Sequence, residues 1–168
     1  MTTTLLVESV AAEIRDATAL LKLPIEYHNE RQRRAETTWR QVHVYEQYIP
    51  VDLFQKDTYY PCVIVEWLST TDKLRGVENG STATISLSFG VYAKEADAWK
   101  DCLHLMEVVR QRLLEKRTLA KRFRLEDEIT WETAANQPTP FFYGYAELNY
   151  QIYQIKEPFQ EVKTKWRM

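Results

Sequence analysis

The side chains with the most scope for chemistry are three histidines, two cysteines and one run of carboxylates. His28, His43 and His104 are scattered, and no HExxH, CxxC or paired-histidine spacing gathers them into a metal-ligating pattern. His104 lies between apolar positions of a helical stretch, where a structural histidine is the plain reading. Cys62 and Cys102 sit inside apolar patterns and read as small buried hydrophobes of a reducing compartment, a disulfide being the minor alternative. There is no GxSxG elbow, and neither Ser81 nor Ser86 has a base beside it in the sequence. Gly76, Gly80 and Gly90, three of only four glycines, make no phosphate-cradling loop. Glu126, Asp127, Glu128 and Glu132 would have to converge to hold a metal or run acid–base chemistry. A strand throws consecutive side chains to opposite faces, so a solvated edge strand guarded by charge is the better account. The chain is therefore expected to be no enzyme, with no catalytic residue, cofactor or metal.

Basic and aromatic residues carry the remaining signals. Arg110, Arg112, Lys116, Arg117, Lys121, Arg122 and Arg124 cluster in the stretch RQRLLEKRTLAKRFR, offset nearby only by Glu115. Cations at a helix C-terminus meet its partial negative charge, which accounts for several of them. The others suit a protein contact better than nucleic acid, because the stacking aromatics of single-strand binders are not interleaved with them. The run ERQRR at 30–34 is open in the same way. Ten tyrosines, five tryptophans and six phenylalanines are the other oddity. Tyr27, Tyr45, Tyr48, Tyr59, Tyr60, Phe141, Phe142, Tyr143, Tyr145 and Tyr153 lie mostly in arms, turns and strand edges. They either cover the ends of a sheet or form a subunit interface, and the interface is preferred because these rings join apolar area to a polar tip.

Length and composition bound the frame that positions these groups. A chain of 168 residues can bury a real core as one domain, and 45% apolar with 27% charged residues is ordinary for a globular protein. The 22 basic and 24 acidic side chains nearly cancel, so the chain as a whole is no polyelectrolyte binder of nucleic acid. The start MTTTLLVESVAAEIRD lacks the basic opening and long apolar run of a secretory signal, and no later run is long enough to cross a bilayer. Synthesis and retention in the cytoplasm are expected.

Periodicity then gives the elements. Residues 4–22 place Leu6, Val10, Ile14, Ala17 and Leu21 on one helical face, with Thr3 or Thr4 as cap and Pro24 marking the end. Residues 26–60 show no sustained period and read as an irregular arm, with a weak strand around Val42 and Val44. YPCVIVEWLS, at 60–69, predicts a central strand from Pro61. Asn79-Gly80 signals a tight hairpin turn that makes this strand the antiparallel neighbour of 82–93, with 70–80 projecting as an arm. On that second strand Ile85, Leu87, Phe89 and Val91 alternate with Thr84, Ser86, Ser88 and Gly90, a small, mildly polar face whose covering is the open question. A helix follows at 96–117, its stripe formed by Trp99, Leu103, Met106 and Leu113 and widened by Cys102, Leu105 and Val109. LEDEITWE is an acidic short strand, Pro138 and Pro140 mark a turn, and FFYGYAELNYQIYQI is the last strand, with Ala146, Leu148, Tyr150 and Ile152 on one face. The order predicts a single α+β domain over 1–155, an antiparallel sheet with helices packed on one face, and an extended tail over 156–168.

Three blocks, VYEQYIPVDLFQKDTYYPCVIVEW, ISLSFGVYAKEADAWKDCLHLMEVVRQRLLE and ITWETAANQPTPFFYGYAELNYQI, resemble in order those of tail terminator proteins of long-tailed bacteriophages and prophages. The resemblance spans about residues 40–155 and includes the Pro-aromatic-aromatic turn from Pro140 to Gly144. It implies a tail-terminator-like fold and a virion structural protein that caps the tail tube as a homo-oligomeric ring, by implication a hexamer. Such a ring stops tube polymerisation and offers a docking surface to the head–tail connector, or neck, protein. By the same resemblance the chain is assembled in the host cytoplasm and resides at the head-proximal end of the tail. DNA passes through the lumen without specific recognition, and no membrane, cofactor or enzymatic step is involved.

A small-residue strand face permits close approach by another subunit, and unlike patches joined head to tail close into a ring when the rotation allows. Under this implication the candidate interface residues are Arg31, Arg33 and Arg34 in the polar segment, and Lys73, Arg75 and Glu78 in the projecting arm. To these are added Arg117, Lys121 and Arg122 in the basic stretch, Phe141, Phe142 and Tyr143 at the turn, and Trp166 in the tail. The rivals are another head–tail joining or tail-completion protein, a small nucleic-acid-binding module using 110–124, and, least favoured, an enzyme using the carboxylates at 126–132.

Overall fold

The computed structural model describes residues 2–29, 34–49, 59–74, 80–93 and 97–154, with backbone alone for 26–29 and 34–37. In chain order the elements are α1 (Thr2–Thr18), β1 (Lys22–Asn29), β2 (Arg34–Gln41), β3 (His43–Glu46), β4 (Cys62–Lys73), β5 (Gly80–Tyr92), α2 (Ala98–Glu115), β6 (Thr118–Leu119), β7 (Phe123–Thr133) and β8 (Phe141–Ile152). The main sheet has the order β3-β4-β5-β8-β7-β6, and β1 and β2 form a separate two-stranded sheet.

Strand β5 organises the packing. Ala83, Ile85, Leu87, Phe89 and Val91 are fully buried on one face, while Thr82, Thr84, Ser86 and Ser88 on the other stay half-exposed. Neighbouring strands repeat the alternation in register, so Val63 and Val65 of β4 and Ala146, Leu148 and Tyr150 of β8 join the buried face. Both helices close that same face, α1 with Leu6, Val10 and Ile14 and α2 with Cys102, Leu105, Val109 and Leu113. The α+β arrangement with helices on one side of the sheet is thus present, and the strand pairs are antiparallel apart from β3 beside β4.

Several boundaries differ from the sequence reading for identifiable reasons. Helix α1 stops at Thr18, whose hydroxyl donates back to the Ile14 carbonyl at 2.8 Å, and Leu20 beyond it is 96% exposed. Pro24 therefore ends no helix. It lies within β1 opposite Trp39, in a two-stranded sheet where every strand has a free edge for a residue without an N–H. The segment read as irregular holds the end of β1, all of β2, paired with β1 over eight residue pairs from Lys22↔Gln41 to Asn29↔Arg34, and the short parallel strand β3. In α2 the buried stripe runs through Ala98, Cys102, Leu105, Val109 and Leu113, which turns Trp99 and Leu103 outward. The expected arm at 70–80 is partly sheet, since β4 and β5 pair as far as Lys73↔Gly80, with a register shift after Trp67. Asn79 of the predicted turn and the tail at 156–168 lie outside the described residues.

Three of the seven cations of the basic stretch are spent inside the molecule. Arg110 pairs with Glu107 on its own helix, while Arg112 Nε reaches Glu13 Oε2 at 2.9 Å and Lys116 Nζ reaches Glu13 Oε1 at 3.0 Å across the α1–α2 packing. Asp16 adds a second carboxylate on Arg112. Partial burial pushes the Glu13 carboxyl up, but hydrogen bonds from Lys116 and Arg112 and their charges outweigh it and hold the group below the usual 4.5. A depressed carboxylate stabilises the fold above its unfolded pKa and ceases to do so as pH falls through the folded value. Replacing Glu13 by Gln should cost about 1 kcal/mol at neutral pH, the scale of one partly exposed charge-assisted pair. The gap in thermal midpoint between the two proteins should close progressively below pH 4.5; a gap constant down to pH 2 contradicts the linkage.

The core contains one orphan. Tyr150 is fully buried, and its hydroxyl lacks a hydrogen-bond partner among the described residues. An unmet buried hydroxyl costs free energy that its removal recovers. Tyr150→Phe should leave the urea midpoint unchanged or raise stability by up to about 1 kcal/mol; a loss larger than that would place an unseen partner on the hydroxyl.

Candidate interface

The face of the sheet turned away from the helices divides into a covered part and an open part. At the covered end, Tyr59 and Tyr60 are buried with Ile25, Ile49 and Cys62, and Tyr45, Tyr92, Phe141 and Tyr143 pack around them. Gly90 makes this close approach possible, because a Cβ there would stand 2.7 Å from Tyr60 Cε1 and 3.2 Å from Cys62 Sγ. The Tyr60 and Tyr143 hydroxyls share a hydrogen bond at 3.0 Å, and the Phe141 and Tyr143 rings stack at 4° with centroids 6.3 Å apart. Burial, reinforced by that hydrogen bond, holds the Tyr60 phenol well above its ordinary pKa, so it stays neutral. Burial likewise pushes the Cys62 and Cys102 thiols up to about 12, the state of inert packing groups. At its Gly90 end the small-residue face is covered by the chain's own Tyr60, while Thr84 and Ser86 stay half-exposed.

The turn before β8 is tied down by one side chain. Gln137 Nε2 donates to the Ala134 carbonyl at 3.1 Å and to the Tyr143 carbonyl at 2.9 Å, and its Oε1 accepts from the Tyr143 N–H at 2.7 Å. This fixes where β8 starts and therefore which face each aromatic of the turn occupies.

The open part is polar and acidic. Register places Glu66, Ser86, Glu147 and Thr130 in one row across β4, β5, β8 and β7, and Ile64, Ser88, Tyr145 and Glu132 in the next. Adjacent strands are about 4.8 Å apart, so Glu66 and Glu147, two strands apart, are separated by about 10 Å of Ser86 backbone. Glu128, Glu132 and Glu147 line a shallow depression with Ser86, Thr130 and Asn149. None of Glu66, Glu128, Glu132 and Glu147 has a cation within ion-pair distance among the described residues. Glu126 differs, accepting a hydrogen bond from the Thr82 hydroxyl at 2.9 Å.

Two stretches of sheet edge also lack a partner strand among the described residues. Strand β6 covers β7 only at Arg124 and Phe123, which leaves β7 open from Glu126 onward. Strand β3 covers β4 only from Cys62 to Val65, which leaves Glu66–Lys73 open beside the exposed Trp67 and Leu68.

The sequence-derived interface residues divide accordingly. Arg117, Lys121 and Arg122 are exposed around the β6–β7 turn and, with Arg124, make no ion pair among the described residues; Lys121 holds a positive φ of 56°. Lys73 ends β4, where its carbonyl accepts from Gln154 Nε2 at 3.3 Å. Phe142 belongs to the main core at 8% exposure and offers no surface. Phe141 and Tyr143 are half-buried in the aromatic cover beside Tyr45 and the buried Tyr59 and Tyr60, whereas Tyr48, Tyr145 and Tyr153 are exposed and the side chain of Tyr27 lies outside the described residues. Arg34 lies in β2 with only its backbone described; Arg31, Arg33, Arg75, Glu78 and Trp166 lie outside the described residues. The structure adds Glu66 and Glu147 to the acidic residues named from sequence. Strand parity could have found Glu147, since it alternates with Ala146 and Leu148 of the core face. Among the described residues, no three His, Cys, Asp or Glu side chains are arranged to hold a metal ion. No protein-family model and no curated protein matches this chain.

Gly90→Ala should force the Tyr60 ring off the sheet and destabilise the fold by about 1–3 kcal/mol, the usual cost of overpacking. Gly80→Ala is the control, because nothing lies within 4 Å of its added Cβ. Equal urea midpoints for the two variants would show that Tyr60 does not depend on the gap at Gly90.

Proposed function

We propose that this chain is a tail terminator of a long-tailed phage or prophage, a structural protein that caps the tail tube as a ring of copies and works by assembly without turnover. The supporting observation is a helix-backed sheet with two unlike edges open among the described residues, an acidic one along β7 and an apolar-decorated one along β4. Unlike surfaces on one chain join head to tail, and such contacts close into a ring when the rotation permits. The block order across 40–155 supplies the choice of this assembly among ring-forming proteins. In this reading the ring stops tube growth, presents a surface to the head–tail connector, and lets DNA through its lumen. A different head–tail joining or tail-completion protein shares these features and would act at another position.

A nucleic-acid-binding module is the second reading, favoured by the exposed Arg117, Lys121, Arg122 and Arg124, which make no ion pair among the described residues. It requires DNA retention that falls steeply with salt and disappears when Arg117, Lys121 and Arg122 are neutralised.

Deleting the gene should yield tails of uncontrolled, heterogeneous length in electron micrographs, and supplying the chain in trans should restore a single length. Tails of normal length in its absence overturn the capping role.

A further inference from the structure

We propose that the open acidic sheet face of one copy receives the cationic β6–β7 turn of a second copy. The choice of a second copy as occupant rests on the ring reading above. The face presents Glu66, Glu128, Glu132 and Glu147 on a bed of Ser86 and Thr130. Glu147 stands about 10 Å from Glu66 across β5, and Glu128 and Glu132 flank its row on β7, with no cation at ion-pair distance among the described residues. The turn presents Arg117, Lys121, Arg122 and Arg124, four exposed cations with no carboxylate in reach among the described residues.

The remaining charges show how selective this is. Arg15, Lys100, Arg110, Arg112 and Lys116 all find carboxylates within the chain, and Glu13, Glu46, Asp97 and Glu107 are their partners. Glu8, Lys22, Glu115 and Asp127 are also exposed without an ion pair among the described residues, but on the open sheet face and on the β6–β7 turn four unmatched charges of one sign come together, and a patch of one sign is neutralised by a patch of the other across an interface. Carboxylates ranged along a strand edge oppose edge-to-edge pairing of β7 with another β7, but they favour a basic segment. Arg suits this role because its planar fork can grip carboxylates in pairs. Tyr145, 39% exposed and beside Glu132 in the register, gives the face an aromatic anchor amid the charge. A copy that offers its turn keeps its own acidic face free for a third copy, so the contact continues head to tail.

The test is a charge swap followed by sedimentation velocity at the highest soluble concentration, with circular dichroism to verify the fold. Wild-type protein should form species larger than a dimer, weakening as salt rises. Glu128→Lys with Glu132→Lys places positive on positive, and Lys121→Glu with Arg122→Glu places negative on negative. Each double variant alone should associate at least about 10-fold more weakly than wild type. An equimolar mixture restores opposite charges at every junction of an alternating assembly and should regain association. Association unchanged in both variants, or a mixture no better than its components, overturns the interface, as does a wild-type chain that stays monomeric or stops at a dimer. Tail length after gene deletion is read independently, so lost length control with intact association of both variants removes this interface alone. Normal tails with the swap pattern intact remove the capping role alone.

Discussion

A sheet backed by helices on one side only must carry two incompatible surfaces along each strand, and the rest of this molecule follows from that constraint. On β5 the residues Ile85, Leu87, Phe89 and Val91 are sealed under α1 and α2, while Thr84, Ser86 and Ser88 between them meet the other side. The pleat allows no compromise, because shifting the pairing by one residue would put hydroxyls into the core and leucines into water. Register is therefore held from β4 through β8 by the same burial that holds the helices down. The cost is a second face that no helix covers among the described residues.

The chain deals with that second face in two ways. At one end it folds Tyr59 and Tyr60 back over the sheet, and Gly90 leaves the gap into which the Tyr60 ring fits. Burying such a ring against strand backbone supplies apolar area without a third layer of secondary structure, and the Tyr60–Tyr143 hydrogen bond meets the polar tips. Along the rest of the face the chain uses carboxylates and hydroxyls, which are at ease in water. The two treatments have different consequences for assembly. An aromatic cover consumes its own surface, so Phe141 and Tyr143 serve folding, whereas unpaired carboxylates remain available to a partner.

How much of this was legible depended on whether the information was local. Wherever one face is buried the period shows, and the two helices, β5 and β8 were readable from alternation alone. The hairpin β1–β2 was not, because its two strands are rich in charge and their sequence carries no sustained apolar alternation. Strand β3 pairs in parallel with β4 across the intervening residues 47–61, a contact that no local pattern announces. The end of α1 was misjudged because Leu20 and Leu21 extend the apolar rhythm past the point where Thr18 turns the chain. Phe142 was misjudged although the parity of β8 already held the answer: a strand that buries Ala146, Leu148 and Tyr150 buries position 142 as well.

The basic stretch carries the same lesson into function. Seven cations between 110 and 124 look like one patch in sequence, yet the turn from helix to strand divides them. Those on α2 face α1 or their own helix and are neutralised there, so Arg112 and Lys116 act as a clamp between helices through Glu13. Those beyond Lys116 stand around the β6–β7 turn with no carboxylate at ion-pair distance among the described residues. A charge that has found its partner inside the molecule contributes to stability and is lost to recognition; one that has not is expensive neither to fold nor to expose, and is free to choose a neighbour. The separation near a single helix terminus thus divides the cations into those paired within the chain and those that make no ion pair among the described residues.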